Sequence, residues 1–190
     1  MMHRLAALFL ALAVAPAPAL SEPPLRLSAQ VESVTRGLIC APPEGGRRPA
    51  PDTAAGWIHV PDVAIEIRAE GTTAPARLGT GFGLRFVLAG QEPVPVRYVV
   101  THPPMPPEGI TRQSWHAMVQ PGVGEQVFFQ FDTEDELQPG DWTIAAFSGE
   151  DELFHAGFEV VLPRDLPQLD GLCRGGALYS LSRTPPGAAG

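Results

Sequence analysis

The sequence predicts an all-β protein, an immunoglobulin-like antiparallel β-sandwich with an irregular C-terminal tail. Apolar and polar residues alternate over many short segments, as in strands that bury one face. Turn residues separate these segments every ten to fifteen residues or so, which is typical of a sandwich and not of βαβ units. After the first residues, no long segment repeats apolar residues at helical spacing free of proline and glycine.

The start of the chain has the composition of a secretory signal peptide. Arg4 precedes an apolar segment from Leu5 to Val14, which is shorter than the roughly 20 residues that span a bilayer. Ala17 and Ala19 fit the small-residue cleavage pattern, so we predict cleavage after Ala19; an uncleaved anchor is the alternative. The predicted organisation is a signal peptide over 1–19, a sandwich domain over 20–162 and a tail over 163–190 whose end is disordered.

Export would place the chain in an oxidising compartment, the periplasm or the outside of the cell. The two cysteines, Cys40 and Cys173, are therefore predicted to form one disulfide, and two unpaired buried thiols are the alternative. Neither has a histidine or a second cysteine at zinc-ligand spacing, and we predict no metal and no cofactor.

The net charge of −8 argues against two classes of partner. Nucleic acids and anionic lipid surfaces repel an acidic protein. Pro and Gly are frequent but stay below the share that is typical of disorder, so the prolines are assigned to turns and strand edges.

The first half of the chain supplies short strands and one long loop. Leu25 to Cys40 contains one or two strands broken at Gly37, and Trp57 to Arg68 contains two more. Residues 41–55 are rich in Pro, Gly and Arg and are predicted to be a loop.

The next strand is the clearest one. Arg77 to Ala89 places four apolar side chains on one face: Phe82, Leu84, Phe86 and Leu88. Gly79, Gly81 and Gly83 indicate a bulge or a close backbone approach in its first half.

The centre of the chain combines two strands with a proline-rich connection. Val94 to Thr101 places Val94, Val96, Tyr98 and Val100 on one side, and Ile110 to Gln120 is a further strand that carries Trp115. The segment between them, His102 to Gly109, is predicted to be a stiff loop because it contains two Pro-Pro pairs.

Three strands complete the predicted sandwich. They cover 126–132, 141–147 and 153–162. The first places Val127, Phe129 and Phe131 together, and the second places Trp142, Ile144 and Ala146 on one face. The acidic run from Asp132 to Glu136 is interpreted as a solvated strand end, with a calcium site as the alternative that its carboxylates allow.

The run from Leu137 to Ile144 followed by Phe158 to Val160 resembles the last strand pair of bacterial immunoglobulin-like domains. More widely, the chain resembles an uncharacterised family of exported Gram-negative proteins grouped as a domain of unknown function. The matching segments are 40–46, 54–57, 75–79, 101–104 and the Pro-Gly-Asp-Trp corner at 139–142. The resemblance implies the fold and brings no catalytic or binding residues.

Residues 102–107 and Trp115 form the most distinctive candidate surface. Pro103, Pro104, Pro106 and Pro107 favour a polyproline II conformation, which loses little entropy on binding, and His102, Met105 and Trp115 lie close in sequence. A rigid spacer between two strands is the alternative interpretation.

No catalytic constellation is evident in the sequence. His59, His102, His116 and His155 show no metal-binding spacing, and Ser114 and His116 are interpreted as a surface pair.

The leading hypothesis is an exported, non-enzymatic binding or interaction protein whose loops at one end of the sandwich contact an unknown protein partner. A module that binds carbohydrate or an envelope polymer through Trp57 or Trp115 is the alternative, and it requires that the tryptophans are not all buried. A hydrolase assembled from distant strands is the third hypothesis.

Overall fold

The structure is a computed structural model that describes residues 22–42 and 45–173. The predicted signal peptide and the predicted disordered end lie outside the described residues. Within these residues the strands are β1 (Leu25–Leu27), β2 (Val31–Cys40), β3 (Gly45–Pro49), β4 (Trp57–Pro61), β5 (Ile67–Glu70), β6 (Thr73–Pro75), β7 (Thr80–Leu88), β8 (Val94–Met105), β9 (Ile110–Val119), β10 (Glu125–Gln130), β11 (Gly140–Ser148) and β12 (Asp151–Val161). The described residues include no helix that is long and apolar enough to cross a bilayer.

The strands form two sheets and a separate hairpin. The larger sheet has the order β1–β12–β11–β8–β9, and β6 pairs with another part of β12. The smaller sheet has the order β10–β7–β2–β5, and β3 pairs with β4. All pairs are antiparallel except β6 with β12, which is parallel.

The two sheets pack face to face through aromatic side chains. Phe82 on β7 lies 4.6 Å from Phe158 on β12, ring centre to ring centre, and Phe86 lies 5.0 Å from Phe154. All four apolar residues predicted on one face of β7 are at most 1% exposed. This alternation confirms the predicted immunoglobulin-like β-sandwich, because each sheet buries one face against the other.

The close approach of β10 explains the two glycines of β7, Gly81 and Gly83. A Cβ atom on Gly83 would lie 2.6 Å from the carbonyl oxygen of Val127 on β10. A Cβ atom on Gly81 would overlap the backbone of Phe129, which is also on β10. Only glycine lets β10 lie this close to β7, as the sequence predicted.

Two strands were missed by sequence reasoning. The predicted loop over 41–55 contains β3, whose residues are all exposed and show no apolar alternation. The short strand β6 contains a proline and pairs in parallel with β12. Both depend on partners elsewhere in the chain, so local pattern does not reveal them.

The prediction of a loop from His102 to Gly109 is wrong in its first half. Strand β8 continues to Met105, and only residues after it form the turn to β9. The register between β8 and β9 shifts between Thr101 and Met105. Proline has no N–H to donate, so the ladder is interrupted at Pro103 and Pro104 while the chain stays extended.

Arg36 on β2 closes one side of the sandwich. Its Nη1 donates to the carbonyl oxygens of Pro23, Pro24 and Gly157, at 3.1, 3.2 and 3.3 Å, and its Nη2 lies 2.9 Å from Glu22. The side chain is only 12% exposed. It therefore joins the N-terminal segment and β12 of the larger sheet to the smaller sheet.

Replacing Arg36 with methionine is expected to lower the free energy of unfolding by about 2 kcal/mol. Methionine keeps the apolar stem but leaves partly buried carbonyl groups without their charged donor. Urea unfolding measures the loss. The control is Arg68→Met, because Arg68 and its partner Glu66 are 42% and 72% exposed; a change within about 0.5 kcal/mol is expected there. Equal losses of unfolding free energy for Arg36→Met and Arg68→Met would contradict the role of Arg36 in joining the two sheets.

The tail begins with short helical turns. A 3₁₀ helix covers Pro163–Asp165 and the helix α1 covers Pro167–Asp170. Leu169 packs against the core, and Cys173 forms the predicted disulfide with Cys40 at the end of β2. The bond fastens this part of the tail to the smaller sheet.

Candidate functional site

The sandwich has a cleft on the side opposite Arg36, where β9 and β10 form the edges of the two sheets. The β3–β4 hairpin covers this opening, and the cleft beneath it encloses about 300 Å³. Its walls come from β4, β9 and β10, and Tyr98 of β8 also lines it. A volume of this size is at the lower end of the roughly 300–1,000 Å³ of small-ligand pockets.

Three hydrogen bonds attach the hairpin to β9. The N–H of Ser114 donates to the carbonyl of Asp52 at 3.0 Å, and the N–H of Ala54 donates to the side-chain oxygen of Gln113 at 2.8 Å. Arg48 donates to the carbonyl of His116 at 3.1 Å. Two of these bonds, at Ser114 and His116, use backbone groups on the edge of β9 that would otherwise be free to pair with another chain.

A histidine–aspartate pair attaches the hairpin to the other sheet. His59 Nε2 lies 2.7 Å from Asp132 Oδ2, and its ring stacks on Phe128 with 6.3 Å between ring centres. Gln130 Nε2 donates to the second oxygen of Asp132 at 2.7 Å. The hairpin thus bridges the two sheets, with polar contacts to both.

The three tryptophans occupy different environments. Trp142 is fully buried, whereas Trp57 on β4 and Trp115 on β9 are half-buried and both line the cleft. The guanidinium of Arg47 lies 3.7 Å from the ring centre of Trp57. The Trp115 ring lies 5.6 Å from that of Tyr98. The condition set for a carbohydrate-binding surface, that not every tryptophan is in the core, is therefore met.

Two buried polar atoms of the cleft residues have no hydrogen-bond partner in the described structure: Tyr98 Oη and Gln130 Oε1. Tyr98 is only 2% exposed. Burial raises the pKa of Tyr98 far above its usual value of 10.0, and the negative charge of Glu125 adds to the effect. The phenol therefore keeps its proton and can donate it. Buried polar atoms without partners are rare, and they mark places where a ligand or water completes the hydrogen bonding.

The pair of His59 and Asp132 has no nucleophile attached. Within residues 22–42 and 45–173, no hydroxyl or thiol group hydrogen-bonds to His59. The Thr53 hydroxyl, which also lines the cleft, donates to backbone carbonyls of Ala50 and Trp57 instead. Asp132 therefore orients the His59 ring, and the pair attaches β4 to the end of β10.

Glu136 corrects the interpretation of the acidic run as a solvated strand end. It is 8% exposed, and its Oε2 accepts the N–H groups of Asp132 and Thr133 at 2.6 and 3.0 Å. A 3₁₀ helix over Glu134–Glu136 turns the carboxylate inward. Burial raises the pKa of Glu136, and the two backbone N–H groups oppose the shift. Among the described residues, no three His, Cys, Asp or Glu side chains converge as a metal site would require.

The predicted interaction surface of residues 102–107 with Trp115 is not continuous. His102 and Met105 are 4% and 2% exposed, because alternate residues of β8 point into the sandwich. Trp115 lies in the cleft, on the central part of β9. Pro104, Pro106 and Pro107 are exposed and Pro103 is half-buried, so a binding role for this proline turn stays a prediction.

His102 instead connects the core to the hairpin. Its ring stacks on Trp142 at 4.8 Å, and its Nδ1 lies 2.8 Å from the carbonyl of Pro103. With Nδ1 as donor, Nε2 accepts from Gln113 Nε2 at 3.1 Å. The side-chain oxygen of Gln113 in turn accepts a hydrogen bond from the N–H of Ala54. The neutral imidazole therefore fixes the orientation of the glutamine that holds the hairpin.

The free energy of unfolding is expected to fall as the pH drops below about 6.5, partly through His102. Burial lowers the pKa of His102 from 6.5, and burial also lowers that of His155. As the pH falls, the unfolded chain binds these protons first, which favours unfolding from pH 6.5 down to the folded-state pKa. Glu136 has the opposite sign, because its raised pKa stabilises the protonated folded form below about 4.5 and this contribution disappears as the pH rises.

Comparing wild type with His102→Gln isolates the histidine contribution. Urea unfolding at several pH values should show a shallower loss of stability for the variant between pH 6.5 and 5. Differences at pH 8, where histidine is neutral in both states, report packing alone. Identical pH dependence in both proteins would show that His102 does not contribute.

Sequence reasoning missed the residues that give the cleft its chemistry. The alternation along β8 had placed Tyr98 on the same side as three valines, which is an available signal that its hydroxyl is buried. The pairing of His59 with Asp132 had no such signal, because 73 residues separate them. The predicted strand-face pair of Ser114 and His116 makes no mutual hydrogen bond in the described structure, and His116 is exposed.

The chain was compared with solved structures, curated proteins and protein families. A crystal structure of an immunoglobulin-like protein from Pseudomonas aeruginosa matches at 20% sequence identity with a TM-score of 0.47. The alignment covers 74% of this chain and 99% of that one. No curated protein matches the sequence. The family described as a domain of unknown function, DUF3859, matches residues 27–160. Since this match spans most of the chain, the protein belongs to the DUF3859 family.

Proposed function

We propose that the protein is an exported, non-enzymatic binding protein and that the cleft beneath the β3–β4 hairpin holds its ligand. The observation that carries the proposal is the phenol of Tyr98, a buried hydrogen-bond donor without a partner in a cleft of about 300 Å³. The described residues offer this donor no acceptor, so a ligand group that accepts its proton gains a hydrogen bond that the protein does not satisfy internally.

The surroundings of the cleft support a ligand that enters it. Two half-buried tryptophans offer apolar surface, and Val60 and Met118, which also line the cleft, are 45% and 62% exposed. Apolar walls with a few polar groups are typical of ligand sites. The absence of a nucleophile beside His59 in the described residues supports binding without catalysis.

Export to the periplasm or the cell exterior is part of the same proposal. The disulfide between Cys40 and Cys173 fits a protein that folds in an oxidising compartment. The signal-peptide composition of residues 1–19 points the same way. A ligand met in that compartment is a component of the envelope or the medium.

The indole N–H signals of the three tryptophans test the proposal by nuclear magnetic resonance. The indole N–H of Trp142 donates to the carbonyl of Gln138 at 2.9 Å in the core, so this signal is an internal control. The protein is titrated with a panel of small sugars, blocked peptides, dicarboxylates and nucleosides. At least one class should shift the Trp57 and Trp115 signals saturably and leave Trp142 unchanged. Shifts confined to residues outside the cleft, or none with any class, would refute the proposal.

A further inference from the structure

We infer that the cleft binds a neutral saccharide, a ligand class that rests on the proposed binding function and goes beyond it. The cleft brings together one unpaired donor, one unpaired acceptor, two half-buried indole rings and an excess of carboxylates. Together these features disfavour charged ligands and favour a ligand that has hydroxyl groups and an apolar face.

The unpaired atoms select a group that both donates and accepts. Tyr98 Oη donates its proton, whereas Gln130 Oε1 can only accept. The orientation of the Gln130 amide is fixed, because its nitrogen donates to Asp132. A carboxylate ligand would satisfy only the tyrosine and an ammonium ligand only the glutamine. Hydroxyl groups satisfy both, and a sugar ring carries several of them at neighbouring positions.

The charges of the cleft disfavour anions. Three lining residues are carboxylates, Glu125, Asp132 and Glu136, against one guanidinium, Arg48, and one histidine. Asp132 and Glu136 already accept hydrogen bonds from protein groups, and Glu125 accepts the N–H of Gln126. An anionic ligand would add charge of the same sign near these groups, and the whole protein carries −8.

The aromatic surface suits the apolar face of a sugar ring. A pyranose ring presents several C–H groups on one side, which pack on an indole ring while the hydroxyl groups reach polar atoms at its edge. Trp57 and Trp115 are half-buried on two different walls of the cleft. The volume of about 300 Å³ leaves room for a short segment of a chain and not for a folded partner.

Binding of neutral trisaccharides tests the inference. Maltotriose, cellotriose and tri-N-acetylchitotriose are titrated separately against the full exported protein, with the indole signals and calorimetry as readouts. Trigalacturonic acid and a blocked trialanine serve as the anionic and peptide probes. At least one neutral trisaccharide should bind with the largest affinity of the set and shift the signals of Trp57 and Trp115, with Trp142 unchanged.

Two variants test the polar contacts. Tyr98→Phe removes only the unpaired hydroxyl, so we expect unchanged or slightly higher thermal stability and about two- to tenfold weaker sugar binding. Gln130→Met should weaken binding similarly. Its control is Gln120→Met, because Gln120 is exposed and donates to the carbonyl of Gln91 away from the cleft residues. Unchanged affinity in both Tyr98→Phe and Gln130→Met would overturn the assigned contacts.

The outcomes separate this inference from the proposed function. If trialanine shifts the cleft tryptophans and no sugar does, the protein is a binding protein and the saccharide inference is wrong. If trigalacturonic acid binds more tightly than the neutral sugars, the inference of a neutral ligand is wrong. If no probe shifts these signals in this set or in the wider panel, the cleft is not a ligand site and both fail.

Discussion

Replacing Trp142 with alanine is expected to lower the free energy of unfolding by about 3–5 kcal/mol, the largest effect of any single substitution considered. Trp142 is 0% exposed and lies among the rings of Phe82, Phe129 and His102, at 5.5, 4.9 and 4.8 Å. Its indole N–H also donates to the carbonyl of Gln138, which the substitution leaves without this donor. A cavity between two sheets collapses poorly, because the ladders hold both backbones in place.

Trp57→Ala is the matched control for this experiment. Trp57 is half-buried on the hairpin, which makes polar contacts with both sheets. We expect a loss of only about 1 kcal/mol in urea unfolding. Equal losses for Trp57→Ala and Trp142→Ala would contradict the burial difference on which the binding proposal also depends.

Removing the disulfide is expected to cost about 2–5 kcal/mol of unfolding free energy. Cys40 and Cys173 are 133 residues apart in sequence, so the bond restricts a large part of the unfolded chain. On the chain-entropy account, closing a loop of about 100 residues contributes about 4.7 kcal/mol. The bond also holds the segment that carries Leu169 against the core.

The double variant Cys40→Ser/Cys173→Ser provides the measurement, with two controls. Reductant should destabilise the wild type to the level of the variant and leave the variant itself unchanged. A thiol reagent should label neither cysteine of the native protein, and both after unfolding in reductant. Labelling of the native wild type would show that the disulfide does not form.

The two open sides of the sandwich are closed by different means, and this difference creates the candidate site. On one side, Arg36 draws the N-terminal segment directly against the strands. On the other side, the β3–β4 hairpin reaches both sheets through Arg48 and His59, and the space below it is not filled. A structural cover would need no such space. The cleft is therefore where the fold departs from dense packing, as functional sites often do.

Most of the fold could be predicted because the core strands carry their own signal. Along β7 and β10, large apolar residues recur at every second position, and along β11 Trp142 and Ile144 do so before the smaller Ala146. This alternation predicts both the strand and the face that it buries. The strand β3 carries no such signal, since its register is set by pairing with β4 and its residues stay exposed. The prolines at 103 and 104 indicated a loop, but pairing with β9 resumes at Met105.

The candidate site could be predicted only in fragments. Trp57 and Trp115 were candidate binding residues from their type alone, and the cysteines were paired from their number and compartment. Nothing local relates Gln130 to Tyr98, or His59 to Asp132, because their proximity follows from how the two sheet edges face each other. A pattern with a period of two shows which face of a strand is buried, but it does not show which side chains from different strands meet.

Alternation within each strand predicted the β-sandwich, and two cysteines in an expected oxidising compartment predicted one disulfide, because both arguments need only local sequence and composition. The three-dimensional arrangement of the described residues was needed to see that β3 and β4 cover the gap between the sheet edges, that His102 and Met105 are buried, and that a tyrosine hydroxyl is left unpaired beneath the hairpin. Burial and hydrogen-bond satisfaction depend on every element that surrounds a group, and those neighbours come from distant parts of the chain.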